Sequence, residues 1–276
     1  MATLSVIKFG GELLENAAAV RDVAGKIVAL AARRSLVVIH GGGRAIDAEL
    51  EARHETPRFV DGLRITDAAA LDAAVSVLAG RANTSLVAAI NALGGRAVGL
   101  TGADGLLGLS ERADGFTSVA GNAVDLGLVG HPVARNTVLL TDLLGLGYVP
   151  VVASIGVDSE GLLLNVNADS LAGHLAAVLG ADDLIVVGST AGVLDATGST
   201  IARLSIDDID AMTASGVAHS GMVAKLAACR HAVLAGAARV AIVTGHGAAE
   251  LMGAPGTEIV AQQLAENGSY AFAKRG

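Results

Sequence analysis

The 276-residue chain predicts an α/β fold: a mostly parallel central sheet covered by helices on both faces, a three-layer sandwich. Three observations carry this expectation. Short aliphatic runs alternate with longer Ala-rich segments whose apolar residues recur at helical spacing. Glycine, at 36 residues, is about twice its usual share, and several aliphatic runs end in it. Aromatic residues make up 2% and Trp is absent, so the core has to be built from Ala, Val, Leu and Ile.

The elements follow in order. Residues 4–9 read as a buried strand, 13–34 as a helix and 36–39 as a second strand bounded by His40 and three glycines. A helix over 44–53 follows. Thr66-Asp67 is an N-cap signal for a long Ala-rich helix to residue 93. Residues 97–100 read as a short strand, and 101–133, rich in glycine, as loops or hairpins. Then come a helix over 136–144, a strand over 148–153, a helix over 167–179 and a strand over 184–187. Helices over 207–214 and 222–235 lead to a last clear strand at 240–243. The length fits one large or two modest domains at roughly 100–200 residues each. No low-complexity linker separates two parts, so two lobes would share one continuous sheet.

Composition excludes several classes. The formal charge is −8, from 27 acidic and 19 basic residues, which argues against a nucleic-acid partner. Cys229 is the only cysteine, so there is no disulfide framework and no thiolate metal site. The mean hydropathy is +0.58, yet no run of 18 uninterrupted apolar residues occurs, so no transmembrane helix and no membrane partner are expected. The first strand is interrupted by Lys8 and is not a signal peptide; a cytoplasmic protein is expected. No zinc-ligand spacing and no Gly-x-Ser-x-Gly elbow is present, so neither a resident metal nor Ser-His-Asp hydrolysis is expected.

Ligands of parallel sheets sit beyond the carboxyl ends of the strands, which directs attention to the segments that follow them. Lys8-Phe9-Gly10-Gly11 ends the first strand and offers a cation beside backbone N–H groups, or simply a surface lysine and a turn. His40-Gly41-Gly42-Gly43 ends the second strand and opens a helix, where an oxyanion could approach the backbone closely. It is neither a Walker A loop nor a complete dinucleotide fingerprint. Asp61-Gly62-Leu63-Arg64-Ile65-Thr66 places an arginine ahead of a capped helix, suited to a carboxylate or to solvent. Asn165-Val166-Asn167-Ala168-Asp169 gathers two amides and a carboxylate at a helix start, as would an ordinary Asx turn. Gly188 to Asp195 forms a loop directly after a strand. Gly221-Met222-Val223-Ala224-Lys225 sets a lysine one turn into a helix.

In this order, from about Val6 to Gly256, the motifs resemble the amino acid kinase family. The resemblance implies ATP with Mg²⁺ as phosphoryl donor, and within the family it points to the γ-carboxylate of N-acetyl-L-glutamate as acceptor in arginine and ornithine biosynthesis. Carried over residue by residue, it implies that Lys8 and Lys225 stabilise the transferring group, with Asp169 orienting both. Gly11, Gly42 and Gly43 would offer N–H groups, Arg64 would hold the substrate α-carboxylate, and Asn165 would contact the acylated amino acid. Nucleotide would lie over Ser189, Thr190, Ala191, Gly192, Val193 and Leu194, over Val217, Ala218 and His219, and by Gly221 and Met222. Residues 1–164 would form the amino-acid lobe with the dimer contact, and 165–276 the ATP lobe.

Two departures from the family pattern fall in the nucleotide lobe. Gly188-Ser189 stands where the family often has Ser-Asp, so one carboxylate is missing. Ser220-Gly221-Met222 stands where it often has Asp-Gly-Met. The chain starts seven residues before Lys8, and residues 246–257 match the arginine-site pattern of inhibited members poorly. The resemblance therefore implies an arginine-insensitive homodimer, in contact through residues 66–93, without a PII-type partner. Two alternatives are a kinase of a related acyl-amino diacid, N-succinylglutamate or carrier-bound α-aminoadipate, and a non-catalytic nucleotide-binding regulator.

Overall fold

A computed structural model describes residues 3–118, 121–133, 135–216, 221–247 and 250–262. The first half contains β1 (Leu4–Phe9), α1 (Ala17–Ala31), β2 (Ser35–His40), α2 (Gly43–Ala52), the hairpin β3 (Phe59–Val60) and β4 (Leu63–Arg64), α3 (Ala68–Val75), α4 (Asn83–Ala92) and β5 (Ala97–Thr101). Next come β6 (Ser110–Arg112), the hairpin β7 (Phe116–Thr117) and β8 (Ala123–Val124), β9 (Val129–Pro132), α5 (Val138–Gly145), β10 (Val149–Ala153), β11 (Ile155–Val157) and β12 (Leu163–Val166). The remainder holds α6 (Ala168–Leu179), β13 (Asp183–Gly188), β14 (Arg203–Ser205), α7 (Ile206–Ala214), α8 (Gly221–Leu234), β15 (Arg239–Thr244) and β16 (Gly256–Val260).

Eight strands make one sheet in the order β14-β16-β15-β13-β1-β2-β10-β5. Every neighbouring pair is parallel except β15 with β16. Alternation along β1 sends Ile7 and Phe9 to one face, where they meet Val23 and Ile27 of α1 and Leu86 and Ile90 of α4. Val6 goes to the other face with Leu140 of α5, Leu171 and Leu175 of α6, and Leu226 of α8. That is the three-layer α/β architecture, and a strand buried on both faces is why these runs read as continuously aliphatic.

The structure departs from the sequence reading in several places, the unread edge strand β14 and the hairpin β3-β4 among them. The first helix begins at Ala17, because Asn16 accepts a hydrogen bond from the Ala19 N–H and caps it. Residues 66–93 are not one regular helix: the π segment Ser76–Ala82 joins α3 to α4. Within 101–133 and after β10, four short strands pair as a small sheet, β11-β12-β9-β6; at three or four residues each they are too short to show a period-2 pattern. Finally β16 follows the strand read as the last, and it is antiparallel to β15. It is five residues long and follows Pro255, too weak a run to stand out. The helical stretch Ala68–Ala92 is long and apolar enough, by length and composition, to cross a membrane. Here its inner face packs on α1, α2 and the sheet.

Candidate active site

Strand β1 has β2 on one side and β13 on the other. The chain runs from β1 through α1 into β2, and reaches β13 only after α6, so the connection direction reverses here. A crevice opens at the carboxyl end of such a reversal, and Lys8 and Gly10 lie at that end of β1.

The centre of the site is one carboxylate shared by two lysines. The Lys8 Nζ lies 2.9 Å from Asp169 Oδ1. The Lys225 Nζ donates to Asp169 Oδ2 at 3.2 Å. Each group reaches this point for a local reason. Asn167 caps α6 by accepting from the Asp169 and Ser170 N–H groups, which sets Asp169 in the first turn. Helix α8 brings Lys225 because it crosses α6 at Gly173, where a Cβ would stand 2.8 Å from the Ala228 carbonyl oxygen. Lys8 and Asp169 are buried, and Asp169 Oδ1 is held by Lys8 without a hydrogen bond of good geometry. Two cations against one anion leave this three-residue cluster with one net positive charge, in a protein whose net charge is −8.

Two glycine turns and an arginine complete the cavity beside this triad. It is lined by Lys8, Gly11, Gly42, Gly43, Arg64, Asn165 and Asp169, among others. A Cβ on Gly11 would stand 2.5 Å from Gly42 Cα, and one on Gly42 would stand 2.7 Å from Leu78 Cδ2. Only backbones this bare can meet, and Gly43 then opens α2, whose first N–H groups lack partners within the helix. Arg64 is buried, with Nη1 2.7 Å from Asp47 Oδ1, Nη2 donating to the Gly43 carbonyl at 3.1 Å, and its guanidinium 4.7 Å from the Phe59 ring centroid. Asn165 Nδ2 donates to Thr66 Oγ1 at 3.0 Å, so two motifs 99 residues apart meet here.

His40 is held in its neutral form. Burial lowers its pKa from 6.5 to about 4, with the Gly41 carbonyl contact acting the other way. Its Nδ1 lies 3.2 Å from that carbonyl and its Nε2 lies 3.1 Å from Asn83 Nδ2, which also donates to Val151 O at 2.9 Å. The neutral imidazole therefore ties the glycine turn to α4 and the sheet. Cys229 is buried beneath the triad, and burial first, then the Asp169 charge, pushes its thiol pKa up.

The segments read as nucleotide-binding lie apart from this cavity. Ser189 and Thr190 are exposed beyond β13. Gly192, with φ of 90°, and Val193 turn into β16: the Val193 N–H donates to Thr257 Oγ1 at 2.8 Å and the Val193 side chain enters the core. Ala191 accepts from Thr200 Oγ1 at 2.8 Å, and Leu194 is exposed. Gly221 and Met222 open α8 on the lysine side. Val217, Ala218 and His219 lie outside the described residues, as does Ser220. The sequence reading missed Phe59, Asp47 and Glu12, and took Asn167 as one of the amides of a capped helix start, which it is. Phe59 is half-exposed beside Arg64 and was legible as one of only four Phe. Asp47 and Asn167 carry signals that any helix surface or cap would also give.

The amino acid kinase family matches residues 3–244. A protein of Sphingopyxis alaskensis named acetylglutamate kinase is 40% identical over 246 residues, 87% of this chain and 81% of that protein. One of the same name from Koribacter versatilis is 38% identical over 263 residues, 93% of this chain and 98% of its own. Among solved structures, smu.665 from Streptococcus mutans UA159 superposes with a TM-score of 0.75 at 25% identity, covering 94% of this chain and 99% of that one.

Proposed function

The chain belongs to the amino acid kinase family, and from that membership we propose that it transfers the γ-phosphoryl group of ATP to the γ-carboxylate of N-acetyl-L-glutamate. The product is N-acetyl-L-glutamyl 5-phosphate, an intermediate of arginine and ornithine biosynthesis. The observation that carries this reading is the meeting of Lys8 and Lys225 on the one carboxylate of Asp169.

The chemistry needs no general base, because the acceptor is already an anion. A carboxylate oxygen bonds to the γ-phosphorus as the bond from that phosphorus to the ADP oxygen breaks, and no proton moves. What opposes the step is repulsion and misalignment between two anions, so catalysis is positioning and charge stabilisation. In our reading Lys8 and Lys225 neutralise the migrating group while Asp169 holds them apart and aimed. Gly11, Gly42 and Gly43 turn N–H groups toward the same point. Arg64, steadied by Asp47 and Phe59, takes the α-carboxylate, and Asn165 the acylamino group. The nucleotide lies along Ser189, Thr190, Ala191, Gly192, Val193 and Leu194 and along Val217, Ala218, His219, Gly221 and Met222. Residues 1–164 then serve the amino acid and 165–276 the nucleotide.

Magnesium takes oxygen ligands and is usually held by one or two carboxylates together with substrate phosphates. Among the described residues no three His, Cys, Asp or Glu side chains stand together. In our reading the ion arrives with the nucleotide. When bound, it would neutralise phosphate charge. We also place the reaction in the cytoplasm and the protein in a homodimer joined through residues 66–93.

A hydroxamate assay tests the reading. With ATP and magnesium, acetylglutamate should give acyl phosphate, and faster than succinylglutamate or acetylaminoadipate. Acyl phosphate from a different acid would reassign the substrate. None from any acid would leave a nucleotide-binding regulator in place of a kinase.

A further inference from the structure

Glu12 sits in a single 3₁₀ turn, Gly11–Leu13, directly after β1. Side chains alternate along a strand, so Lys8 and position 10 share a face. Pairing sets Lys8 beside Val186 and Phe9 beside Val187, which puts Gly10 next to Gly188 at the shared edge of β1 and β13. The Glu12 carboxylate fills the space those two glycines leave. A Cβ on Gly10 would collide with it, and a Cβ on Gly188 would stand 3.6 Å from Oε1. The carboxylate is thus on the face that carries Lys8 and Asp169, one step further toward the carboxyl ends of the strands. It is half-buried and makes no hydrogen bond or ion pair among the described residues. Every other acid near the reaction centre is engaged: Asp169 by two lysines and Asp47 by Arg64.

A carboxylate held at the edge of a phosphate site repels a metal-free triphosphate, and attracts one that brings a divalent cation. We propose that Glu12 is the protein carboxylate that faces the magnesium ion of the bound nucleotide, and that it makes this enzyme select magnesium-bound ATP over free ATP. It supplies an acid on the edge where the loop after β13 begins with Gly188 and Ser189, neither of which carries a carboxylate. The proposal rests on the reading of this cavity as a kinase site.

The test is nucleotide binding by calorimetry, without acceptor, to the wild type, Glu12→Gln and Glu12→Asp, each with magnesium and with EDTA. Wild type should bind the magnesium form more tightly. In Glu12→Gln that preference should shrink by about tenfold, through weaker binding of the magnesium form and stronger binding of free ATP. Glu12→Asp should restore part of it. If Glu12→Gln does not fold, Glu12→Ser is put through the same four titrations. A preference unchanged in the neutral variants, or equal weakening of both nucleotide forms, overturns the proposal. Wild-type turnover is measured alongside. Turnover with an unchanged preference removes the role of Glu12 alone. No acyl phosphate from wild type, with the preference lost in Glu12→Gln, removes the kinase reading and leaves a magnesium-nucleotide site.

Discussion

Lys8 and Lys225 do one job from two places, and a single carboxylate makes that possible. Removing either cation takes away charge that matters most as the phosphoryl group migrates. Lys8→Ala and Lys225→Ala should each lower kcat about 100- to 1000-fold, with a much smaller change in ATP affinity; steady-state kinetics and calorimetry together separate these, and near-normal turnover in both would remove the assignment. His40 gives a prediction of another kind. Its folded pKa of about 4 lies below the ordinary 6.5. As pH falls through that window the unfolded chain takes up the proton first. His40 therefore contributes its full stability above pH 6.5 and loses it as pH drops toward 4. Between pH 7 and pH 5 the loss should be about 2 kcal/mol. Urea unfolding of wild type and His40→Gln at the two pH values measures it: the variant should lose less on acidification.

Elements matter here through how closely they approach. Helix α6 meets α8 at Gly173, and that contact sets the reach of Lys225 to Asp169. In an isolated helix Gly→Ala is favourable by about 1 kcal/mol. At Gly173 the added methyl collides with Ala228, and overpacking of this kind costs about 1–3 kcal/mol. Gly173→Ala should therefore lower the melting temperature, against its helix propensity, and reduce kcat with it; a stabilised variant would show that the helices can slide apart freely. The π segment Ser76–Ala82 acts at the same scale. It ends at Asn83, which is buried and joins His40 to Val151. Helix periodicity across 66–93 could indicate an apolar helix, but not the wider turn, and not the bonds Asn83 makes at its end. The glycine turns show the converse. Their residue types were plain in the sequence, while the backbone contact of Gly11 with Gly42 was not.

Across the whole molecule, one sheet carries both proposed lobes. Strands β5, β10, β2 and β1 come from before residue 165, and β13, β15, β16 and β14 from after it. The join is also tied by Asp183, which accepts from Ser5 Oγ at 2.7 Å and pairs with Arg34. The helical stretch Ala68–Ala92 reaches the cavity at Leu78, with 39% of its most apolar window buried and small or polar residues, Ser76, Gly80, Thr84 and Ala88 among them, at exposed positions. The proposed contact with a second copy would form on this face of small residues. Sedimentation should find a species of twice the 27.3 kDa chain mass, unchanged by arginine. Charged substitutions at exposed positions of this helix should shift it to monomer. A monomer in the wild type would remove the dimer reading.

Alternating aliphatic and Ala-rich segments were sufficient to specify an α/β sandwich, since a strand buried on both faces must be aliphatic throughout and its covering helices must carry one apolar stripe. The candidate residues were visible one by one, and their order along the chain carried the family resemblance. Their convergence was not visible. Asp169 lies 56 residues before Lys225 and far from Lys8 in the chain, and no local pattern encodes a distance between them. Only the packed chain, with α6 capped by Asn167, α8 pressed on Gly173 and β1 set beside β13, brings three charges to one point and places the Glu12 carboxylate on the same face. Contacts of that range are settled by the whole set of packing interactions acting at once.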